Sequence, residues 1–153
     1  MSSFPPLRHF WAEERDLQHK GTKLTEKEIN TLSHEVIGAA IEVHKVLGPG
    51  LLESAYEEWL AHELSLRGLR YALQVPLPVV FKGIRLDCGY RMDMVVQGQL
   101  ILELKAVERI LPIHEVQLLT YLRLSGKWLG LLLNFHSARL QDGIRRRVNG
   151  FTS

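Results

Sequence analysis

The chain has 153 residues, about the length of one domain with a single hydrophobic core. Its hydrophobic content of 46% and charged content of 24% are ordinary globular values, and no apolar run reaches the roughly 18 residues that a membrane span needs. The net charge of +2 does not predict binding to long DNA, and the single cysteine excludes an intramolecular disulfide framework. We therefore expect a cytoplasmic protein without a membrane partner.

The N-terminal part of the sequence predicts an extension followed by a helix. Residues 1–23 contain a Pro-Pro pair and mixed charges, so we expect them to extend from a domain of residues 24–150. Thr25 and Glu28 have the spacing of a capping box, which marks a helix start. Apolar residues then recur at helical spacing and predict a helix over residues 25–47.

The rest of the chain alternates between strand and helix patterns. A second helix is predicted over residues 51–67, with Leu52 and Trp59 among the residues on its apolar side. Pro76 and Pro78 confine the strand-like region around them to edge or irregular pairing. The remaining ranges are a strand at 71–81, strands at 92–96 and 100–105, a helix at 112–125, a strand at 128–135 and a short final strand or helix at 144–148. This order predicts an α/β fold with a mixed sheet and helices on its faces.

The two central strands predict a β-hairpin that brings charged side chains together. With a short loop between them, Val96 pairs with Leu100, and Asp93 then lies opposite Glu103, about 5 Å away at the β-carbon. Lys105 follows two residues later, so strand alternation points it to the same face. A register shifted by one residue would separate these groups, so the cluster depends on this pairing.

Two carboxylates held this close repel each other unless a proton or a cation lies between them. Hard oxygen ligands without a nearby cysteine favour Mg²⁺ or Mn²⁺ over zinc. Lys105 would then activate a water or stabilise negative charge at an attacked phosphate. The alternative interpretation of Asp93, Glu103 and Lys105 is a salt-bridge cluster that faces solvent, and the hairpin alone leaves both open.

The predicted helices contribute two further candidates. Glu53 shares a helix face with Tyr56, and we expect its carboxylate at the border of the packed side, where it is costly unless paired or metal-bound. The alternative is an exposed first-turn glutamate that the helix dipole favours. His44 continues the buried stripe of the first helix, either as a core histidine or as a group that orients substrate or binds metal.

Two other groups of polar residues lie nearer the C-terminus. Gln117 and Tyr121 are four apart on the third helix and would present an amide and a phenol on one face, available to a phosphate. Arg145, Arg146 and Arg147 form the clearest basic run of the sequence. That run predicts either contacts with nucleic-acid phosphates or an ordinary solvated strand.

Together these residues resemble the GxxExxY family, small bacterial proteins assigned to the PD-(D/E)XK nuclease-like superfamily. Gly50, Glu53 and Tyr56 match the motif that names the family. The resemblance extends over residues 24–149. Other matching segments are Tyr90-Arg-Met-Asp93, Leu102-Glu103-Leu-Lys105-Ala, Gln117-Leu-Leu-Thr-Tyr121-Leu and Gly130-Leu-Leu-Leu-Asn134-Phe135.

The resemblance implies a restriction-endonuclease-like core and a role for each matching residue. Asp93 and Glu103 would be metal ligands, and Lys105 would be the catalytic lysine of the E-x-K motif. Glu53 would match an acidic residue that some members add as a further ligand. Met92 stands where the proline of the superfamily motif is expected, a departure that is common among its members.

Further positions resemble one branch of the superfamily. Gln117 and Tyr121 resemble the Q-x-x-x-Y element of RecB-like nucleases, and His44 resembles their upstream histidine. The function implied is a nuclease that uses Mg²⁺ or Mn²⁺ to hydrolyse DNA, or RNA as second candidate. The alternative is a non-catalytic module that binds nucleic acid or protein. The resemblance also leaves open a homodimer, for which the exposed candidates are the 71–81 region, Phe4, Phe10 and Trp11.

Overall fold

The computed structural model describes residues 23–150 of the chain. The helices are α1 (Glu26–Leu47), α2 (Glu53–Leu66) and α3 (Pro112–Ser125), and a 3-10 helix covers Leu140–Gly143. The strands are β1 (Tyr71–Pro76), β2 (Val79–Phe81), β3 (Ile84–Leu86), β4 (Arg91–Val96), β5 (Leu100–Lys105), β6 (Leu129–Asn134) and β7 (Ile144–Val148). Phe4, Phe10 and Trp11, with nearly all of the predicted extension, lie outside the described residues. Within residues 23–150 no helix is long and apolar enough to span a bilayer.

The main sheet has five strands in the order β1-β4-β5-β6-β7. Its neighbouring strands are antiparallel except for β5 and β6, which are parallel. A parallel pair requires a long crossover connection, and α3 lies in the connection between these two strands. This mixed sheet with flanking helices confirms the predicted α/β class. Strand β6 is buried at every position, as its nearly continuous apolar sequence predicts.

Helix α1 begins and ends as the sequence predicts. The Thr25 hydroxyl accepts a hydrogen bond from the Glu28 N–H at 3.1 Å, and the Glu28 carboxylate accepts one from the Thr25 N–H at 2.9 Å. This reciprocal capping box satisfies two amide groups that would otherwise lack partners at the helix start. At the other end Gly48 has a φ of 69°, a left-handed value that glycine adopts without a steric penalty.

The two faces of the main sheet are covered by different helices. A β-carbon at Gly130 on β6 would lie 2.7 Å from Leu118 Cδ1, so the missing side chain allows α3 to pack closely there. Arg146 on β7 points to the opposite face and donates a hydrogen bond of 2.6 Å to Asn30 of α1. The sheet is therefore enclosed between α3 on one side and α1 on the other.

The predictions for α2 are partly wrong. The helix begins at Glu53, two residues later than predicted, so Leu52 precedes it and is 77% exposed. Trp59, which we place on the apolar side from its spacing, is 51% exposed. The buried positions of α2 are Tyr56, Leu60, Ala61 and Leu64. These positions form a narrow stripe of three- and four-residue steps, and Trp59 lies outside it.

The predicted strand over residues 71–81 is two strands in different sheets. β1 is an edge strand of the main sheet, as Pro76 predicts. β2 instead pairs with β3, a strand that the sequence pattern does not reveal, in a separate hairpin. The final segment is a strand, β7, rather than a helix.

Candidate active site

Asp93 and Glu103 lie opposite each other where β4 and β5 separate. The predicted register is confirmed, and the backbone ladder ends at the pair Met94 and Leu102. Beyond this pair, the carboxylate oxygens accept hydrogen bonds from backbone N–H groups of the opposite strand, in place of backbone carbonyls. The Asp93 N–H donates to Glu103 Oε2 at 3.1 Å, and the Leu104 N–H donates to Asp93 Oδ2 at 2.9 Å. Each carboxylate is thus hydrogen-bonded to the backbone of the opposite strand.

Both carboxyl groups bind a proton more tightly than they would in water. Glu103 is 4% exposed, and its burial, followed by the charge of Asp93, raises its pKa well above the ordinary value. Burial also raises the pKa of Asp93, while the Leu104 amide and the Lys105 ammonium act in the opposite direction. The charge of Glu53 raises the pKa of both groups. Such a pair holds a proton or attracts a cation.

The chain around Lys105 is held rigidly by neighbouring strands. Lys105 pairs with Asn134 of β6 in the parallel ladder, and its carbonyl accepts a hydrogen bond of 2.9 Å from the Phe135 N–H. The Asn134 side chain is 2% exposed. It accepts from the Val107 N–H at 3.0 Å and donates to the Val107 carbonyl at 2.9 Å. Asn134 therefore positions the backbone that follows the lysine.

Glu53 reaches the same end of the sheet from the first turn of α2. Its Oε2 accepts a hydrogen bond of 3.2 Å from the Ala106 N–H, directly after Lys105. The side chain is exposed, so the expectation that it lies along the packed side is wrong. Exposure is the usual state of a first-turn glutamate near the positive end of a helix. The carboxylate nevertheless influences both members of the acid pair electrostatically.

A further acid, Glu57, lies one helical turn after Glu53. Its Oε1 accepts a hydrogen bond of 2.7 Å from Gln74 Nε2. Gln74 occupies the position of β1 opposite Asp93, and it adopts a φ of 50° there. Burial raises the pKa of Glu57 to about 7, the Gln74 bond opposes the rise, and the charges of Asp93, Glu58 and Glu53 add to it. Glu57 therefore belongs to the same electrostatic cluster.

Gln117 and Tyr121 are brought to the acid pair by α3. Gln117 Nε2 donates to the Tyr121 hydroxyl at 3.2 Å, as their spacing predicts. Burial, followed by the charges of Glu103 and Asp93, raises the pKa of Tyr121, so the phenol interacts electrostatically with both carboxylates. The ring of Tyr90 meets the Tyr121 ring edge-on, with 6.3 Å between the centroids. The phenol thus stays protonated as a donor beside the site.

His44 is not in contact with this cluster. Its Nε2 lies 2.8 Å from the Ser137 carbonyl oxygen, and its ring centroid lies 6.3 Å from that of Phe135. Phe135 in turn stacks on Tyr56 at 4.5 Å. His44 is buried among these groups, with only 7% of its surface exposed. These contacts correspond to the alternative of a core histidine with its hydrogen bond satisfied.

The three arginines of β7 do not form one surface. Strand alternation sends Arg146 to the α1 face, where its guanidinium also lies 5.7 Å from the centre of the Trp128 ring. Arg147 points to the other face and forms an ion pair with Glu115. Arg145 donates to the backbone carbonyls of Asp142 and Ile144. Each arginine is engaged within the protein, which reduces what the run offers to phosphates.

The donor set at Asp93 and Glu103 suits a hard divalent cation. Mg²⁺ in proteins commonly takes one or two carboxylates and completes its shell with water and substrate phosphates. Among residues 23–150, no three His, Cys, Asp or Glu side chains are already arranged as a complete metal cage. An open site with two carboxylate ligands provides the one or two carboxylates that Mg²⁺ commonly takes, and it does not need three protein ligands arranged in advance.

Three residues of the site are not among the candidates predicted from the sequence: Glu57, Gln74 and Asn134. Of these, Asn134 appears only as part of a segment that matches the family. Glu57 could have been found from its spacing, since it follows Glu53 by four residues on the same helix face. Asn134 could have been found as the polar end of an apolar strand. Gln74 had no such signal, because its place depends on the pairing of β1 with β4.

The site thus consists of a carboxylate pair and a lysine at the end of two central strands of a mixed sheet. The family profile of the PD-(D/E)XK nuclease superfamily matches residues 30–147, most of the chain. The chain belongs to this superfamily, and its sheet is the mixed sheet of a restriction-endonuclease-like fold. No curated protein and no solved structure gives a significant match to the sequence.

Proposed function

We propose that this protein is a metal-dependent nuclease that hydrolyses phosphodiester bonds in DNA, with RNA as the second candidate substrate. The observation that carries the proposal is the Asp93–Glu103 pair, in which each carboxylate is held by an amide of the opposite strand. Both would hold Mg²⁺ or Mn²⁺ through oxygen. A bound ion of this kind polarises a phosphate and lowers the pKa of a water molecule.

The neighbouring side chains would divide the remaining work. Lys105 would stabilise the negative charge that develops at the attacked phosphate. Glu53 would act as a further ligand, directly or through water. Gln117 and Tyr121 would donate hydrogen bonds to a phosphate oxygen. We leave His44 out of the metal site, because its ring nitrogen is committed to a backbone carbonyl.

The decisive experiment is cleavage of single- and double-stranded DNA, and of RNA, by the purified full chain with Mn²⁺ or Mg²⁺. Asp93→Ala and Lys105→Ala should each lose cleavage by a factor of about 100 or more, since each removes a group that acts in the transition state. Asp142→Ala and Lys45→Ala are the matched controls, because both side chains are exposed and neither belongs to the cluster. Robust cleavage by Asp93→Ala would end the assignment.

A melting experiment tests the metal site independently of turnover. Mn²⁺ binding to the folded state should raise the melting temperature of the wild type in proportion to the logarithm of its concentration. Asp93→Asn should remove this shift and should melt higher than the wild type in EDTA, because it relieves carboxylate repulsion. An equal Mn²⁺ shift in both proteins would place the ion elsewhere.

A non-catalytic binding module is the second candidate, favoured by the net charge of only +2. It requires tight binding of nucleic acid or protein without metal and without turnover. Further parts of the proposal are that the chain belongs to the GxxExxY group, that residues 24–150 fold as the nuclease-like domain and that the protein works in the cytoplasm. The homodimer that the resemblance leaves open is tested by sedimentation of the full chain.

A further inference from the structure

The β2–β3 hairpin is a second feature of the molecule that calls for a partner. Its strands pair only with each other among the described residues, apart from the main sheet. Isolated two-stranded hairpins are marginally stable in water unless one face packs on something. Here most side chains are exposed. The exposed apolar residues are Val80 (55%), Phe81 (69%), Ile84 (61%) and Leu86 (59%).

The hairpin combines this apolar surface with positive charge. Lys82 and Gly83 form its tip, with φ values of 49° and 80°, the pattern of a tight type I′ turn. The Lys82 ammonium lies 5.3 Å from the centre of the Phe81 ring. Arg85 pairs with Val80 across the two strands. Residues 79–86 contain no acid, so charge complementarity favours an anionic partner.

The chain runs from the hairpin directly to the carboxylate pair. β3 is followed by a short loop and by Tyr90, whose carbonyl accepts a hydrogen bond of 2.9 Å from the Leu77 N–H at the base of the hairpin. The Tyr90 ring is 46% exposed and meets Tyr121 edge-on. Asp93 follows three residues later. An exposed aromatic therefore lies in the segment that joins the hairpin to Asp93.

Before a cation binds, the site carries more carboxyl groups than ammonium groups. Among the described residues, Glu53, Glu57 and Glu103 interact electrostatically with Asp93, and Lys105 is the cation that acts on both Asp93 and Glu103. The arginines of β7 are engaged with Asn30, Glu115 and backbone carbonyls. Lys82 and Arg85 have no acidic partner within residues 23–150, which leaves them available to phosphates.

We propose that the β2–β3 hairpin, with Tyr90, is a binding surface for single-stranded nucleic acid that leads the strand to the carboxylate pair. The proposal rests on the proposed function, since it takes the carboxylate pair as the place of cleavage. Unpaired bases stack on Phe81 and Tyr90, as on the aromatic platforms of single-strand-binding proteins, and Lys82 and Arg85 contact the backbone phosphates. A duplex keeps its bases stacked on each other and cannot use these rings.

The test measures binding without turnover. A fluorescein-labelled oligodeoxythymidine of about 20 nucleotides is titrated with the full chain in EDTA and followed by anisotropy. Phe81→Ala should weaken binding by a factor of about ten, in line with the loss of one stacked base. Phe81→Leu, which keeps an apolar side chain without a π-face, should lose nearly as much. Leu66→Ala is the matched control, because Leu66 is also 69% exposed but lies at the far end of α2.

A second arm examines charge. The double variant Lys82→Gln and Arg85→Gln should lower the slope of log affinity against log salt by about 1.4, the value for two lost single-strand phosphate contacts. Lys45→Gln should leave the slope unchanged. A blunt duplex of the same length should bind at least about tenfold more weakly than the single strand, because it offers no free base to stack.

Several outcomes would overturn the proposal. Unchanged binding by Phe81→Ala, or a duplex preferred over the single strand, excludes a stacking surface. If Phe81→Ala instead converts a dimer into a monomer in sedimentation and leaves oligonucleotide binding intact, the hairpin is a self-association surface. Binding that depends on Phe81 in a protein that never cleaves would refute the nuclease and retain the hairpin. If the wild type cleaves and Phe81→Ala binds the oligonucleotide normally, the nuclease is retained and the hairpin surface is refuted.

Discussion

Glu57 provides the sharpest test of the electrostatics around the candidate site. Its carboxylate is partly buried and accepts a hydrogen bond from Gln74, and burial above all raises its pKa to about 7. A carboxyl group with a higher pKa in the folded state binds protons more tightly there, so its ionised form destabilises the fold. Glu57→Gln removes the charge and keeps an oxygen that can accept from Gln74. We therefore expect this variant to be more stable than the wild type at pH values where the carboxyl group of the unfolded chain is ionised.

The size and the pH window follow from the two pKa values. A rise from 4.5 to about 7 corresponds to about 3 kcal/mol for a group shielded from water. Because Glu57 is only partly buried, solvent screening reduces this, and we expect a gain of about 1–2 kcal/mol above about pH 8. Below pH 4.5 both states of the wild type are protonated, so the gain vanishes there. It grows as the pH rises from 4.5 towards 7, the interval in which the unfolded chain is ionised and the folded one is not.

The assay is urea unfolding followed by tryptophan fluorescence, in EDTA, at about pH 5 and about pH 8. Glu42→Gln is the matched control, since Glu42 is an exposed glutamate on α1 that should show no such gain at either pH. A loss of stability in Glu57→Gln at the higher pH would refute the reasoning. An equal gain at both pH values would also refute it, because the effect would then not come from ionisation.

Two packing predictions concern the elements that hold the site. Gly130→Ala places a β-carbon 2.7 Å from Leu118 Cδ1 and should lower the free energy of unfolding by about 1–3 kcal/mol. Part of this loss should disappear when the substitution is made in Leu118→Ala, where the clashing atom is absent. Strictly additive losses in this double-mutant cycle would contradict the clash. Asn134→Leu leaves the Val107 amide and carbonyl without their side-chain partners and should cost about 3 kcal/mol in urea unfolding, whereas an unchanged midpoint would show that water replaces the asparagine.

The part of the site that could be predicted from sequence is the part fixed by short-range geometry. The register of β4 and β5 follows from a short loop and from alternation, because Val96 must pair with Leu100 if apolar side chains are to share one face. Once that register is set, Asp93 and Glu103 face each other. Gln117 and Tyr121 were predictable for the same reason, since residues four apart on a helix are neighbours.

What could not be predicted depends on how distant elements pack. Periodicity alone places Trp59 on the apolar side of α2, but the line of contact with the core passes through Leu60 and Leu64 instead. The fate of His44 depends on the turn after β6, ninety-three residues away, which brings the Ser137 carbonyl to its ring. The environment of Glu57 likewise depends on Gln74 of β1, whose side chain reaches it across seventeen residues of sequence. No window of sequence contains these contacts.

The electrostatic design of the site explains why its acids are arranged as they are. Glu103, Asp93 and Glu57 all have raised pKa values, so the folded protein without a cation carries an unfavourable charge cluster. A fold under selection for stability alone would replace these groups, since each destabilises it when ionised. The cluster is also rigidly built, because amides of Asp93 and Leu104 hold the carboxylates in place instead of the backbone ladder. The proposed cation site accounts for such costly acids in a fixed geometry, and it predicts that substitutions that neutralise the pair raise stability while removing the metal response.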